Sequence, residues 1–147
     1  MMRAVIVYDT WRPRGATTTI ASWIAEELRL SGFEALAVRA GEAGLGHVEL
    51  LVAGSPVYFE RLLPSVLKIV RSAEVSTAVF VVCYAARLGD RGLRYAKAMY
   101  LRKMEEAAGD RLIESHVFKG CLRKPPKGEE EKARKWARSI LERIVLA

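Results

Sequence analysis

No asparagine and no glutamine occur anywhere in the 147 residues. These amides are thermolabile, so their absence beside plentiful Arg and Glu is the usage expected of a protein selected for heat. Cysteine and histidine are scarce, with two of each. Cys83 and Cys121 are too few for a disulfide framework, and no Cys or His spacing fits a zinc site. Long apolar runs are missing as well: none approaches the ~20 residues that cross a bilayer. The apolar N-terminal stretch is broken by Asp9 and no small-residue cleavage pattern follows, so it reads as a strand and not as a signal peptide. These absences point to a soluble, cytoplasmic protein that folds without staples or structural metal.

What is present is a full core and an excess of positive charge. Hydrophobic residues make up 51% of the chain, and a domain of this size buries ~70% of its unfolded surface. Lys and Arg number 24 against 17 Asp and Glu, a net charge of +7. Such a surface favours acidic partners, or it is simply a solvated surface rich in arginine.

The patterning alternates strand and helix. "RAVIVYD" (Arg3–Asp9) is nearly all apolar, as a central parallel strand should be. "TTTIASWIAEELRLSG" places Ile20, Ile24 and Leu28 on one helical face and stops at Gly32. "FEALAVRA" alternates like a strand nearer an edge, and "VELLVAGS" (Val48–Ser55) is again a buried run. "RLLPSVLKIVRSA" carries Leu63, Val66, Leu67 and Val70 at helical spacing. "TAVFVVCY" (Thr77–Tyr84) is the most hydrophobic strand, "LRYAKAMYLRKMEEAAG" a long helix, and "RLIESHVFKG" a fifth strand. The terminal helix opens with three glutamates in its first turn, where the helix dipole favours them. Ile140, Leu141, Ile144 and Val145 give it a face to lay on the sheet.

Five strands alternating with four or more helices, with no linker or repeat between them, predict one α/β domain over 1–147. The fold expected is a doubly wound three-layer sandwich on a five-stranded parallel sheet of order 2-1-3-4-5. Ligands of such sheets bind beyond the carboxyl ends of the strands, at the point where strand order reverses. The loops to watch therefore follow Asp9, Gly54, Cys83 and Lys119.

The first of these loops, "DTWRPRGAT", offers hydroxyls, a glycine and two arginines at a helix start, which suits a phosphate. The same residues also serve a plain helix cap with a tight turn at Gly15. In the second, "AGSPVYFERLLPS", Ser55-Pro56 reads as an extended turn after a buried strand. Tyr58 and Phe59 then stand at the ligand edge, as a staple on the next helix or as a platform for a planar ring. The third, "CYAARLGDRGLR", brings Tyr84 with Arg87, Arg91 and Arg94. Cys83 and Cys121, at the ends of neighbouring strands, read as small core residues or as a thiol pair.

Taken together, "GAT" leading into "TTIASWIAEEL", then "VAGSPVYFERLLPSVLKIVR", "VFVVCYAA" and "HVFKGCLRKPP" resemble the flavodoxin-like proteins over essentially the full chain. The second and last segments are most similar to the branch of small flavodoxins that includes the menaquinone-dependent protoporphyrinogen oxidases. The resemblance implies noncovalently bound FMN. Its phosphate would sit on Thr10, Arg12, Gly15, Ala16 and Thr17. Its ring would lie between Ser55, Pro56, Val57 and Tyr58 on one side and Tyr84, Ala85, Ala86 and Arg87 on the other. A positive residue such as Arg87 near the ring would raise the flavin's potential by stabilising its reduced form.

The resemblance further implies electron transfer to a redox partner, or FMN-dependent oxidoreduction of a small planar or acidic substrate. Neither a membrane span nor nucleic acid is expected, and folds of this family often pair as dimers or tetramers. Thr10 stands five positions before Gly15, one or two more than the family pattern, and the extra length holds Pro13. The alternative function is accordingly a flavodoxin-like domain without flavin that binds an anion or a partner through its basic face. The two divide on whether Trp11 and Pro13 fold into the first loop. Other proteins of this fold class are excluded by their missing residues. The third strand ends in Gly54-Ser55 instead of a phosphate-accepting Asp. No cysteine nucleophile stands in the first loop, and no glycine fingerprint follows the first strand.

Overall fold

Residues 3–8 form the strand β1 (Arg3–Tyr8), whose middle four residues are buried on both faces. It is an inner strand of a parallel sheet, with β2 (Glu34–Arg39) on one side and β3 (Leu50–Tyr58), the central strand, on the other. Beyond β3 lie β5 (Ser76–Cys83) and then β6 (Leu112–Lys119), an edge strand. The short strand β4 (Arg61–Leu62) pairs antiparallel with the end of β3. This computed structural model describes residues 2–11, 15–42, 46–120 and 124–146. The five parallel strands stand in the order predicted from sequence, with β4 as the addition.

Two apolar layers hold the helices to the sheet. On one face α1 (Ala16–Leu30) and α5 (Glu129–Leu146) pack on Ile6, Leu50, Val52, Phe80 and Phe118. Ile20, Ile24 and Leu28 of α1 have no exposed surface, as their spacing predicts. Of the predicted α5 face, Ile140 is fully buried while Leu141 and Ile144 are partly so; the side chain of Val145 lies outside the described residues. On the other face α2 (Pro64–Ser72) packs with the helical run 89–108, burying Val66, Val70, Tyr100 and Met104.

Two local readings of the sequence need correction. "GSPVY" is not a turn after a strand: β3 continues through it to Tyr58 and only then reverses into β4. β1 ends at Tyr8, opposite Gly54, so Pro56 sits where β3 has no neighbour on that side and its missing N–H interrupts no ladder. The reversal is a two-residue turn with positive φ at Phe59 (50°) and Glu60 (63°), a conformation that side chains resist. Glu60 is held there by the hydroxyls of Tyr95, at 2.6 Å, and Tyr100. The second correction concerns the helix after the third loop. It is interrupted by a π-helical stretch, Lys97–Leu101, between α3 (Gly89–Ala96) and α4 (Arg102–Ala108).

Candidate functional site

β1, β3 and β5 end side by side, and a cleft of about 160 Å³ opens above their carboxyl ends. One wall is the start of α1, with Gly15, Ala16 and Thr17 and, before them, Thr10. A second wall is Pro56, Val57 and Tyr58 at the end of β3. The third is the end of β5, Val82 to Tyr84, with Gly120 after β6 closing it.

The first wall has the chemistry of an anion receptor. Gly15 is the N-cap of α1 and supplies no side-chain cap, and the first turn has no acidic residue. Among the described residues no side-chain cap or first-turn carboxylate satisfies the amides of that turn, at the positive end of a helix dipole. Thr18, next in that turn, does not line the cleft; its hydroxyl is buried with no hydrogen-bond partner among the described residues. Thr19, by contrast, turns its hydroxyl back to the Gly15 carbonyl at 3.4 Å.

Thr10 is fixed from several sides. Its hydroxyl meets the Tyr58 phenol at 2.8 Å, its amide donates to Asp9 Oδ1 at 2.9 Å, and its carbonyl accepts from Arg39 at 2.7 Å. Asp9 in turn accepts from the Ser65 hydroxyl at 2.6 Å and pairs with Arg39 at 3.2 Å. Burial alone would raise the Asp9 pKa, but the bonds from Ser65 and the Thr10 amide and the Arg39 charge outweigh it and hold it below the usual carboxylate value. This network locks the first strand-to-loop junction to α2 and β2.

Trp11 does not fold into the cleft. It is 63% exposed and stacks on Tyr58 with ring centroids 4.3 Å apart, close also to Phe59 at 6.1 Å. Tyr58 is thus braced from behind while it lines the cleft. Tyr84, 64% exposed, carries the Arg87 guanidinium over its ring at 5.2 Å. Gly92 makes that loop possible: a Cβ there would lie 1.9 Å from the Ala85 carbonyl oxygen.

The structure therefore brings together Thr10, Gly15, Ala16, Thr17, Pro56, Val57, Tyr58 and Tyr84 of the residues predicted from sequence. Arg12 and Pro13 lie outside the described residues. Ser55 is fully buried beneath the cleft, accepting from the Leu63 amide at 2.9 Å and donating to the Pro56 carbonyl at 2.8 Å, so it braces the β3–β4 reversal. Ala85 is only partly buried and packs on the helical layer, while Ala86 and Arg87 face a different cavity. Val82, Cys83 and Gly120 line the cleft without having been singled out for it. Their signal was position alone, at the ends of the last two parallel strands. A Cβ on Gly120 would come within 3.2 Å of Val82 Cγ1, so the close approach asks for glycine. Cys83 is 3% exposed and burial pushes its thiol pKa up, the behaviour of a core thiol. Cys121, the other half of the thiol pair considered from sequence, lies outside the described residues. No group of His, Cys, Asp and Glu among the described residues has the arrangement of a metal site, and no helix among them is long and apolar enough to cross a membrane.

The family model of the flavodoxin domain matches residues 5–134. The chain belongs to the flavodoxin domain family. Solved structures similar to it include a short-chain flavodoxin associated with a non-canonical PDU bacterial microcompartment, with TM-score 0.70, 13% identity, and 97% and 98% of the two chains covered. Oxidised flavodoxin 1 from Bacillus cereus superposes with TM-score 0.68 at 15% identity, covering 95% of this chain and 97% of that one. The flavodoxin of Streptococcus pneumoniae TIGR4 gives 0.68 at 12%, covering 95% and 98%. At such identities these likenesses concern the fold. No curated protein sequence matches. FMN is the cofactor of the flavodoxin family. The residues present suit it: an uncapped helix start lined by Gly15, Ala16 and Thr17 beside Thr10 for a phosphate, and a tyrosine on each of two walls for a planar ring.

Proposed function

We propose that this protein binds FMN noncovalently in the cleft above β1, β3 and β5 and serves as an electron-transfer flavoprotein. The observation that carries the reading is the pairing, in one cleft, of an uncapped threonine-rich helix start with Tyr58 and Tyr84. FMN, once bound, supplies one- and two-electron chemistry, while the protein supplies position and electrostatics. Gly15, Ala16 and Thr17 would hold the phosphate with Thr10, and Arg12 would add charge. Val57 with Tyr58 on one side and Tyr84 on the other would flank the ring. Ser55 keeps the β3–β4 reversal in place, and Trp11 keeps Tyr58 upright.

Arg87 lines the neighbouring cavity, and its charge reaches the flavin cleft only across the Tyr84 ring, 5.2 Å from the guanidinium. A positive charge there favours the reduced, anionic state of the ring, so Arg87→Ala lowers the flavin midpoint potential; an unchanged potential would remove this role. The electron partner is a redox protein or a small planar or acidic substrate, the latter favoured by the net charge of +7. Cytoplasmic location and adaptation to heat complete the proposal, the second supported by the lack of Asn and Gln. The test is the visible absorption spectrum of the purified protein, followed by titration of FMN fluorescence. A bound-flavin spectrum or saturable quenching is expected. Folded protein that neither carries nor takes up FMN overturns the reading.

A further inference from the structure

A second cavity, of about 600 Å³, opens on the other side of the Tyr84–Arg87 loop. It is well within the range of small-molecule sites. Three elements enclose it: the helical run 89–108, the edge strand β6, and the start of α5. Its apolar surface comes from Ala86, Leu93, Leu101 and Val117, and its cations are Arg87, Lys97, Lys119 and Lys132.

The helical wall owes its shape to the π-helical stretch. An α-helix turns about 40° too far every four residues, so side chains four apart spiral away from one another over three steps. The wider π turn over Lys97–Leu101 offsets that drift. Leu93, Lys97, Leu101 and Glu105 consequently all reach the same cavity, an apolar and charged row along one wall.

The charge in the cavity is biased to the positive. Of its three carboxylates, Glu129 is 98% buried, accepts from the Lys119 amide at 3.3 Å and pairs with Lys132 at 3.5 Å. Glu105 accepts from the Ser115 hydroxyl at 2.7 Å. Asp90 is exposed at the start of α3. Lys97 and Lys119, by contrast, have no carboxylate partner among the described residues, and Arg87 rests on Tyr84. His116, in the β6 floor, is held neutral with its pKa brought down to about 4, first by burial and then by the charges of Lys132 and Lys97. Both ammonium groups therefore act on the same ring from opposite walls.

We infer that this cavity binds an organic anion with an apolar body, an aromatic or alicyclic carboxylate, its acid group between Lys97, Lys119 and Arg87 and its body on Leu93, Leu101 and Val117. Only a few residues separate it from the flavin cleft, because Tyr84 and Gly120 line that cleft while Ala86, Arg87 and Lys119 line this cavity. Calling the occupant a redox substrate rests on the flavin reading; its binding does not.

Naphthoate is a suitable probe, titrated into the full chain and followed by amide NMR, with FMN titrated separately. Saturable shifts are expected in 86–93, 97–105, 115–119 and 129–132. Lys97→Glu, on an exposed position that leaves folding intact, should weaken binding about tenfold while FMN affinity stays the same. The neutral naphthalenemethanol should also bind about tenfold more weakly. Shifts confined to the Trp11, Phe59 and Tyr84 rim, equal affinity in Lys97→Glu, or no saturation up to about 10 mM would each overturn the inference. If naphthoate fails while FMN binds, only this inference falls. If naphthoate binds and FMN does not, only the cofactor reading falls.

Discussion

The two hollows that flank the Tyr84–Arg87 loop are built by different means. The tyrosine-walled cleft is mostly main chain: a helix start, three strand ends and two glycines, with aromatic rings as its sides. The neighbouring cavity is nearly four times larger and is mostly side chain, with lysines and carboxylates contributed by elements far apart in sequence. A site made from backbone leaves its mark in short motifs, because glycine, threonine and strand endings must fall at fixed places. A site made from charged side chains leaves no such mark, since each lysine taken alone reads as a solvated helix face.

The contrast between the two hollows can be tested at four positions, and the largest effect belongs to Gly54, beneath the cleft. A Cβ on Gly54 would lie 1.9 Å from the Phe80 ring. Phe80 is fully buried and wedged edge-on against Phe118 and Trp136, so it has nowhere to retreat. Gly54→Ala should cost about 3 kcal/mol, measured by denaturant unfolding, and should weaken FMN binding as well. A change below 1 kcal/mol would mean that the backbone under the cleft is softer than described.

Next comes the aromatic wall. Tyr84→Leu keeps most of the apolar bulk but removes the flat face, and FMN affinity should fall about tenfold, roughly 1.4 kcal/mol. Naphthoate binding in the larger cavity should barely move, because Tyr84 does not line it. Parallel losses for both ligands would show that the two hollows are one site.

The third contrast is in pH. His116 stays neutral in the folded chain down to about 4, whereas unfolding restores its ordinary value of 6.5. The unfolded chain therefore takes up a proton first, and stability falls as pH drops through that window. Asp9, on the cleft side, has its pKa lowered from 3.8, so its contribution is intact above that value and is lost only as pH falls further. The cavity side should thus weaken in acid before the cleft side does. His116→Phe, which keeps a ring against Phe118 and Trp136, should flatten the loss above pH 4 in unfolding curves. An unaltered pH slope would show that His116 is not the titrating group.

The smallest effect is at the hairpin. Phe59 is 87% exposed at φ 50°, so Phe59→Gly should raise stability by about 1 kcal/mol through relief of strain. Its loss beside Trp11 should leave the Trp11–Tyr58 stack in place, which tryptophan fluorescence would report.

Much of this architecture was legible from sequence, and the reasons are particular. β1 and β5 read as strands because both faces are covered, and every middle residue obeys. Ile20, Ile24 and Leu28 fixed the buried face of α1 for the same reason of period. Pro56 misled, since proline normally ends a strand; only the end of β1 at Tyr8 explains why β3 runs on. Arg87 was assigned to the ring loop by its place in sequence, yet the short helical turn Tyr84–Arg87 carries it over the top of Tyr84 into the other cavity. The π-helical stretch had no sequence signal, and without it Leu93, Lys97, Leu101 and Glu105 do not read as one row.

The measurement that bears most directly on the cleft is a side-by-side titration of FMN and riboflavin, which differ only in the phosphate. If the start of α1 holds that phosphate, FMN should bind at least about tenfold more tightly, the outcome expected when several backbone donors and a helix dipole meet a dianion. Equal affinities would contradict the account, because they would leave Gly15, Ala16 and Thr17 with no part in binding.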